Sequence, residues 1–319
     1  MVGSRRSGDS RAASTGSGGN WRLAVVIPTH DRADLLRRSI ESVLRQERTA
    51  DQIIVVDDGS RDDTAAVVTG YGPTVTYVPK AHGGVASARN LGVAQSDADF
   101  IAFLDSDDHW DEGHLHRTEA AIEMTRGKAW LYFSDLRLDR DRETAESIWR
   151  ACELEIHDTF AFREDGREWV LLPRQPMMIP AAVVRRDAYL AVGGQAENLT
   201  CREDTHFFLK LGLAGPINAV SGVAGEATND DPNRLTERYK GRDLTYWRCT
   251  RWLYADILNR YPNLPPDPRG ILRRRLADAH WTLGRISLQR RPVTAFAQVA
   301  RAAYTDRRAV AARLRAWCA

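Results

Sequence analysis

The sequence predicts an α/β protein, in which a mostly parallel sheet is flanked by helices and followed by a helical C-terminal region. Two observations lead to this fold class. Between residues 23 and 104, short apolar runs alternate with segments of helical spacing, which is the pattern of successive βαβ units. Beyond residue 225, the composition favours helices. We therefore expect a flexible leader at 1–20, an α/β domain at 21–225 and a helical region at 226–319.

The first predicted strand is Leu23–Ile27, a run of apolar residues that Pro28 is expected to end. A continuous apolar run is typical of a parallel strand that is buried on both faces. Later apolar runs, several of them bounded by turn residues, indicate the remaining strands. These are Gln52–Asp57, Val75–Val78, Phe100–Leu104, Trp130–Ser134 and Ala181–Arg185.

Helices are predicted where apolar residues recur every three or four positions. One of them opens at Gly83-Gly84 and runs to about Gln95. The others in the α/β domain are Arg32–Gln46, Asp62–Gly70 and Glu203–Leu211. A helix at Arg242–Arg260 and a proline-rich linker at Pro262–Pro268 follow. Three apolar faces predict the last helices: Leu272, Leu276, Ala279, Leu283 and Ile286; Phe296, Val299 and Ala303; Val310, Leu314 and Trp317.

The composition argues against several classes of protein. Apolar residues make up 43% and charged residues 28% of the chain, which is ordinary for a globular protein. The longest purely aliphatic stretch is Leu23–Ile27, far shorter than the roughly 20 residues of a membrane span. The four cysteines form no Cys-x-x-Cys pair, so neither a zinc knuckle nor a disulfide framework is indicated. The net charge of +2 predicts no nucleic-acid partner.

The C-terminal segment is strongly basic. Arg269–Ala319 contains twelve Arg, two Asp and no Lys or Glu, a formal charge of +10 that leaves −8 for the rest of the chain. Three alternative interpretations apply to these arginines: contact with anionic lipid, contact with an acidic partner protein, or exposure to water on amphipathic helices. Residues 1–20 hold five Gly and five Ser without the apolar run of a signal peptide. We expect a cytoplasmic protein, with peripheral membrane contact through the basic C-terminal helices as one hypothesis.

Three polar clusters follow predicted strands directly: Thr29–Arg32, Asp57–Ser60 and Asp105–Asp108. Parallel strands place their carboxyl ends at one edge of the sheet, where ligands of open α/β sheets bind. Crowded carboxylates repel each other unless a cation or a donor-rich ligand is present. The Asp-x-Asp of the third cluster suits a hard divalent ion that keeps positions open for phosphate. In isolation, the same motif is also common in solvated turns.

Five motifs follow one another over about Leu23–Leu213: VVIPTHDR, QIIVVDDGSRDDT, GGVASARNLGV, FLDSDDHW and REDTHFFLKL. In these motifs and their order, the chain resembles the family 2 glycosyltransferases of the GT-A (nucleotide-diphospho-sugar transferase) fold. Gly193-Gly194 also precedes the Glu-Asp pair by about ten residues, as is usual in the family. The resemblance implies transfer of a sugar from a nucleoside diphosphate to a hydroxyl, with inversion and with Mn²⁺ or Mg²⁺ as cofactor.

The resemblance also implies roles for individual residues. Asp107 would be the direct metal ligand, and Asp105 would contact the ribose or a metal-bound water. Asp58 would pair with the edge of the nucleobase, which Pro28 and His30 would line. Arg89 and Asn90 would hold the far side of the nucleotide. The full set of implied nucleotide contacts is Pro28, Thr29, His30, Arg32, Asp57, Asp58, Arg89, Asn90, Asp105 and Ser106.

Inverting transfer needs a base opposite the departing diphosphate to take the proton of the acceptor. By the motif match, Asp204 is the candidate base, and Glu203 would orient the site or the acceptor. The alternative for this pair is an ordinary acidic first turn of an amphipathic helix. Many family members also carry a His after the sheet domain. Here no His stands between Ala227 and Arg234, so either Asn229 or Arg234 takes that role or the loop serves another purpose.

We therefore expect a metal-dependent, inverting glycosyltransferase with a UDP- or dTDP-sugar donor. The acceptor would be a glycan, a lipid-linked sugar or a small molecule. Three alternatives remain open at this level: a nucleotidyltransferase that makes nucleotide sugars, a phosphatase with Asp105 as nucleophile, and a non-catalytic partner protein that keeps the nucleotide pocket. The sequence names neither the donor sugar nor the acceptor nor the oligomeric state.

Overall fold

The structure is a computed structural model that describes residues 21–138, 147–228, 243–288 and 292–318. The predicted leader, Asn229 and Arg234 lie outside these residues. The strands are β1 (Leu23–Thr29), β2 (Gln52–Asp57), β3 (Thr76–Pro79), β4 (Phe100–Phe103), β5 (His109–Trp110), β6 (Leu131–Leu138), β7 (Phe160–Arg163), β8 (Ala182–Arg185) and β9 (Ile217–Ala227).

Twelve α-helices are found in the described part of the chain. They are α1 (Ala33–Leu44), α2 (Thr64–Thr69), α3 (Val85–Gln95), α4 (His114–Thr125), α5 (Ile148–Ala151), α6 (Arg167–Val170), α7 (Arg186–Ala191), α8 (Glu203–Ala214), α9 (Leu244–Arg260), α10 (Pro266–Ser287), α11 (Pro292–Thr305) and α12 (Arg307–Cys318). All the predicted strands and helices are present, with ends that differ by a few residues, so the predicted α/β class with a helical C-terminal region is confirmed.

The described strands form one mixed sheet in the order β3-β2-β1-β4-β8-β6-β9-β5, and β7 pairs with β9. The four strands from β3 to β4 are parallel, as the βαβ pattern predicts. Strand β8 then runs antiparallel to both β4 and β6. Only the first half of the sheet is therefore wholly parallel, because beyond β4 the described strands form both antiparallel and parallel pairs.

Strand β1 continues through Pro28, so the prediction that this proline ends the strand is wrong. Residues 24–29 pair with β2 in parallel, with Pro28 opposite Val56. The amide of Leu104 donates to the carbonyl of Val26, so alternate residues of β1 face the β4 side. Pro28 faces that side just beyond the last β1–β4 pair, Val26 with Phe103. Its missing N–H therefore removes no ladder hydrogen bond.

The helical region was expected to begin at residue 226, but residues 226 and 227 still belong to the long strand β9. Its sequence contains Ser221, Gly222 and Gly225, which interrupt any regular alternation. The glycines serve close contacts instead. A Cβ on Gly225 would lie 2.1 Å from the carbonyl oxygen of His109 on β5, and Gly222 has φ +99. The boundary expected at 225/226 thus falls inside β9.

The C-terminal helices pack on the α/β domain. Leu253 and Ile257 of α9 and Leu272 of α10 belong to the same buried core as the sheet. His206 of α8 is fully buried, and its Nε2 lies 2.8 Å from Oδ2 of Asp256 on α9. His206 therefore holds two helices together, and it is neither a surface residue nor exposed to an acceptor.

The predicted apolar face of α10 is mostly buried, with Ile286 as the exception at 41% exposure. On α11 the result differs from the expected face, because Val299 and Ala303 contact a small core cluster while Phe296 is 78% exposed. None of the helices that the structure describes is both long and apolar enough to cross a membrane.

Candidate active site

The three polar clusters lie together at one edge of the sheet, because β1, β2 and β4 are parallel neighbours. Direct contacts link them. Nη1 of Arg32 lies 3.2 Å from Oδ1 of Asp107, and Nδ1 of His30 lies 3.0 Å from the carbonyl oxygen of Asp58. Helix α1 also contacts the third cluster, because the Ser39 hydroxyl donates to the backbone carbonyl oxygen of Ser106 at 2.9 Å. The predicted convergence of the clusters is confirmed.

Asp57 uses its carboxylate within the protein. Oδ1 accepts from the amide of Ser60 at 2.8 Å, and Oδ2 accepts from the hydroxyl of Tyr77 at 2.6 Å. Burial and the Asp57 carboxylate raise the pKa of Tyr77 to about 12. These bonds fix the turn after β2, so a direct contact of Asp57 with a nucleotide stays a prediction.

Asp58 is buried and its carboxylate is surrounded by donors. Oδ1 accepts from Nζ of Lys80 at 2.6 Å and from the amide of Gly83 at 2.8 Å. Oδ2 accepts from the amide of Gly84 at 2.8 Å and lies 2.9 Å from Nδ1 of His82. A carboxylate offers about four acceptor positions, so Asp58 has none to spare while all four donors stay in place.

The end of β1 contributes an aromatic surface and an unsatisfied hydroxyl. The ring of His30 stacks on that of His82, with centroids 4.4 Å apart and planes tilted by 30°. Oγ1 of Thr29 is buried and has no hydrogen-bond partner among the described residues. Buried polar atoms without a partner are uncommon. Thr29 and His30 are therefore well suited to a ligand at this edge, as the sequence predicts.

The Asp-x-Asp carboxylates both contact arginines. Oδ1 of Asp105 accepts from Nη2 of Arg89 at 2.6 Å, and the Asp105 side chain is 28% exposed. The Asp107 side chain is 6% exposed and is paired with Arg32. The Ser106 side chain is buried beneath this turn. The two carboxylates thus stand at the end of β4 with their charges partly compensated.

Arg89 is a buried cation that connects the Asp-x-Asp turn with the start of α8. Besides Asp105, its Nη1 lies 3.4 Å from Oε1 of Glu203 and 3.2 Å from Oε1 of Gln195. The carboxylates of Asp105 and Glu203 raise the pKa of Arg89 against the opposing effect of its burial. Arg89 therefore lies between the predicted metal ligands and the predicted catalytic pair, whereas the resemblance implied only a place beside the nucleotide.

Glu203 and Asp204 open helix α8. Arg202 precedes them in the left-handed conformation, at φ 62, which is uncommon for a residue with a side chain. Glu203 is buried, and desolvation together with the neighbouring charge of Asp204 raises its pKa to about 7 against the lowering effect of Arg89. Asp204 is half-buried, and its Oδ1 accepts from the amide of Thr205.

The side chain of Asn90 makes hydrogen bonds to α7 and to the loop that follows it. Its Oδ1 accepts from the hydroxyl of Tyr189 at 2.6 Å and the amide of Gln195 at 2.9 Å. Its Nδ2 donates to the carbonyl of Gln195 at 3.0 Å and to Glu197 at 2.8 Å. Gly194 has φ +59, and a Cβ there would lie 2.6 Å from the Asn90 oxygen. Asn90 thus positions this loop, and its nucleotide contact stays a prediction.

Three residues at the site were missed by sequence reasoning: Lys80, His82 and Gln195. Lys80 and His82 stand in a short loop before Gly83-Gly84, where neither residue type carries a recognisable signal. Gln195 directly follows Gly193-Gly194, and this glycine pair is the signal that could have found it. Nε2 of Gln195 is buried without a hydrogen-bond partner in the described chain, which marks it as a candidate ligand contact.

The donor set at the end of β4 fits a divalent cation that arrives with a diphosphate. Within the described ranges, no group of three or more His, Cys, Asp or Glu side chains converges to hold a metal by itself. Mg²⁺ is usually bound by one or two carboxylates together with water and substrate phosphates. Asp105 and Asp107 supply such carboxylates, so the residues present fit this type of binding.

The chain is similar in sequence to known glycosyltransferases. Residues 24–169 match the family model described as Glycosyl transferase family 2. The chain is 28% identical over 274 residues to the succinoglycan biosynthesis protein ExoW of Rhizobium meliloti, which covers 76% of this chain and 81% of that protein. It is 40% identical over 131 residues to an uncharacterized glycosyltransferase of Rickettsia bellii, which covers 40% of this chain but only 19% of that protein.

Solved structures confirm the fold. TarS 1-349 of S. aureus superimposes with a TM-score of 0.66 at 18% identity, over 90% of this chain and 82% of that one. The mannosyltransferase PcManGT of Pyrobaculum calidifontis, in complex with GDP-Man and Mn²⁺, gives a TM-score of 0.57 at 19% identity, over 93% and 79%. The family match and the relatives favour a glycosyltransferase over the nucleotidyltransferase and phosphatase alternatives. The region from residue 24 to 169 thus matches glycosyltransferase family 2, and the described chain shares its fold with TarS 1-349 and PcManGT.

Proposed function

We propose that the protein is a metal-dependent, inverting glycosyltransferase, with Asp107 and Asp105 at the metal and Asp204 as the general base. The observation that carries this proposal is the buried contact of Arg89 with both Asp105 and Glu203. Arg89 contacts Asp105 through Nη2 and Glu203 through Nη1, which supports a site where the proposed metal ligands lie near the proposed base. A single displacement needs the leaving group and the base in this arrangement.

The donor would lie across the carboxyl ends of β1, β2 and β4. Its base would contact Asp58 and stack on His30, and its diphosphate would lie near Asp105 and Asp107. A bound Mn²⁺ or Mg²⁺ would neutralise charge that develops on the leaving diphosphate. Arg32 pairs with Asp107 at 3.2 Å and would keep that carboxylate oriented at the end of β4.

Asp204 would take the proton of the acceptor hydroxyl as the new glycosidic bond forms. It is half-buried, and its hydrogen bond to the Thr205 amide restricts the carboxylate at the first turn of α8. Glu203 is turned towards Arg89 instead. We therefore assign Asp204 to proton transfer and Glu203 to positioning Arg89.

A UDP- or dTDP-sugar is the donor that we propose, because an imide N–H is the partner that the Asp58 carboxylate suits. The complex of TarS 1-349 with UDP-GlcNAc, a fold relative with a TM-score of 0.64, supports this choice. A glycan, lipid-linked or small-molecule acceptor is proposed, and the succinoglycan biosynthesis in the name of ExoW favours a glycan.

Calorimetric titration with UDP, dTDP, GDP and CDP tests the donor, each with Mn²⁺ and with a chelator. We expect one uracil or thymine diphosphate to bind best and to need the metal. Asp107→Asn should lose the metal-dependent part of binding, whereas Asp204→Asn should keep binding and lose turnover. If a folded sample bound none of the four nucleotides, the proposal would be overturned.

We also propose that the protein works in the cytoplasm, in contact with an anionic membrane surface through α11. Val293, Phe296 and Tyr304 of this helix are 83%, 78% and 89% exposed, and Ala297 and Ala300 between them are exposed too. Arg301, Arg307 and Arg308 are exposed beside this face. An apolar face with arginines at its rim is typical of helices that lie in the headgroup region of anionic bilayers.

Co-sedimentation with vesicles tests this contact. The protein should bind phosphatidylglycerol vesicles more strongly than phosphatidylcholine vesicles, and the double variant Val293→Ser/Phe296→Ser should lose most of that binding. Met124→Ser is the matched control, since Met124 is 71% exposed on α4. Equal losses in both variants, or no preference for anionic vesicles, would overturn the membrane proposal without affecting the enzymatic one.

A further inference from the structure

The loop before α3 places one histidine directly on the proposed base site. The His82 ring stacks on His30 with centroids 4.4 Å apart, and its Nδ1 lies 2.9 Å from Oδ2 of Asp58. Because that carboxylate and the nearby Asp58 carbonyl can only accept, Nδ1 of His82 carries the proton and donates. The side chain of His82 is otherwise 63% exposed.

These two contacts are the ones that a nucleobase would make with the same residues. A uracil or thymine ring is a flat heterocycle, it would stack on His30, and its ring N–H would donate to Asp58. The His30–His82 separation of 4.4 Å is a single stacking distance. A base therefore cannot enter between the two rings, and it must replace one of them.

The other donors to Asp58 are held more firmly than His82. The amides of Gly83 and Gly84 belong to the backbone that enters α3, and Gly84 has φ +90, which a residue with a side chain rarely adopts. Lys80 is 16% exposed, and its Nζ also donates to the carbonyl of Ala81 at 2.6 Å. Of the two side-chain donors to Asp58, His82 is the more exposed, at 63% against 16% for Lys80, so it can leave Asp58 most readily and without moving the backbone.

We propose that His82 is a gate of the nucleotide site: its imidazole imitates the base on His30 and Asp58 and must swing out for the donor to bind. This inference rests on the proposed donor site. The two histidines of the stack then have opposite effects. His30 supports the base, whereas His82 competes with it, so each nucleotide that binds must first break the His82–Asp58 hydrogen bond.

Calorimetric titration of His82→Ala and His30→Ala with UDP and dTDP in the presence of Mn²⁺ tests the gate. His82→Ala should bind about ten-fold more tightly than the unchanged protein, the size expected for a competing hydrogen bond to a charged group. His30→Ala should bind more weakly. Pyrophosphate, which has no base, should bind equally to all of them, and His157→Ala serves as control, because the His157 side chain is 87% exposed and lies beside Glu155.

A measurement on the unchanged protein covers the case in which a variant fails to fold. Histidine modification by diethylpyrocarbonate, located by mass spectrometry, should rise at His82 and fall at His30 when UDP and Mn²⁺ are added. Weaker or unchanged binding by His82→Ala, or protection of both histidines by UDP, would overturn the gate while leaving the donor site in place. Absence of nucleotide binding by every variant would overturn the proposed function together with the gate.

Discussion

Replacement of Glu203 by glutamine is expected to stabilise the protein at neutral pH and above. The Glu203 carboxyl is buried, with a pKa raised from an ordinary 4.5 to about 7 because desolvation and Asp204 oppose its charge more strongly than Arg89 favours it. The folded state therefore holds a proton that the unfolded state has lost, and stability falls as pH rises between these two values. Glutamine keeps an oxygen for Arg89 without this cost.

The size of the effect follows from the shift. At about 1.4 kcal/mol per pKa unit, the full shift corresponds to roughly 3 kcal/mol. Part of this is offset because Arg89, paired with Asp105 at 2.6 Å, loses the charge of a second partner. We therefore expect Glu203→Gln to raise the free energy of unfolding by about 1–3 kcal/mol at about pH 8 and by little at about pH 4.

Urea unfolding of the two proteins across this pH range is the assay, with sugar transfer measured alongside. Glu164→Gln is the matched control, because Glu164 is exposed and its replacement should not change stability with pH. Transfer should decline in Glu203→Gln although the fold gains stability, as expected where a destabilising group is kept for activity. A variant that is less stable at about pH 8, or equally altered at every pH, would refute this reasoning.

Two further predictions concern the scaffold. Gly92→Ala places a Cβ 2.4 Å from Cγ1 of Val26 and should lower the free energy of unfolding by about 1–3 kcal/mol. Gly270→Ala on α10, whose nearest contact would be 4.0 Å away, should instead raise it by up to about 1 kcal/mol; a loss at both positions would contradict this packing. Burial lowers the pKa of His114 to about 3 and of His206 to about 4, so the contribution of these two histidines to stability should fall as pH drops from about 6.5 to 4, opposite in sign to that of Glu203. His206→Gln should remove close to one proton from that dependence in urea unfolding, and an unchanged slope would count against the buried neutral ring.

The parallel half of the fold and its polar edge could be predicted from local patterns. Strands β1, β2 and β4 are buried on both faces, so each appears in the sequence as an unbroken apolar run. The clusters that follow them meet because parallel strands end at one edge. The second half could not be predicted in this way. In β9, Gly222 and Gly225 predict the end of a strand when the sequence is considered alone. In the structure, close contacts with distant elements require glycine there.

The sequence by itself therefore determined the fold class, the edge that carries the chemistry and the carboxylates that stand on it. Only the tertiary structure decided how those charges are compensated. Arg89 reaches Asp105 and Glu203, which are 16 and 114 residues away along the chain, and His82 reaches Asp58 across a loop. The physical reason is that the secondary structure of a segment depends mainly on residues near it in the chain. The partner of a buried charge depends instead on which side chains the packing brings within hydrogen-bond distance.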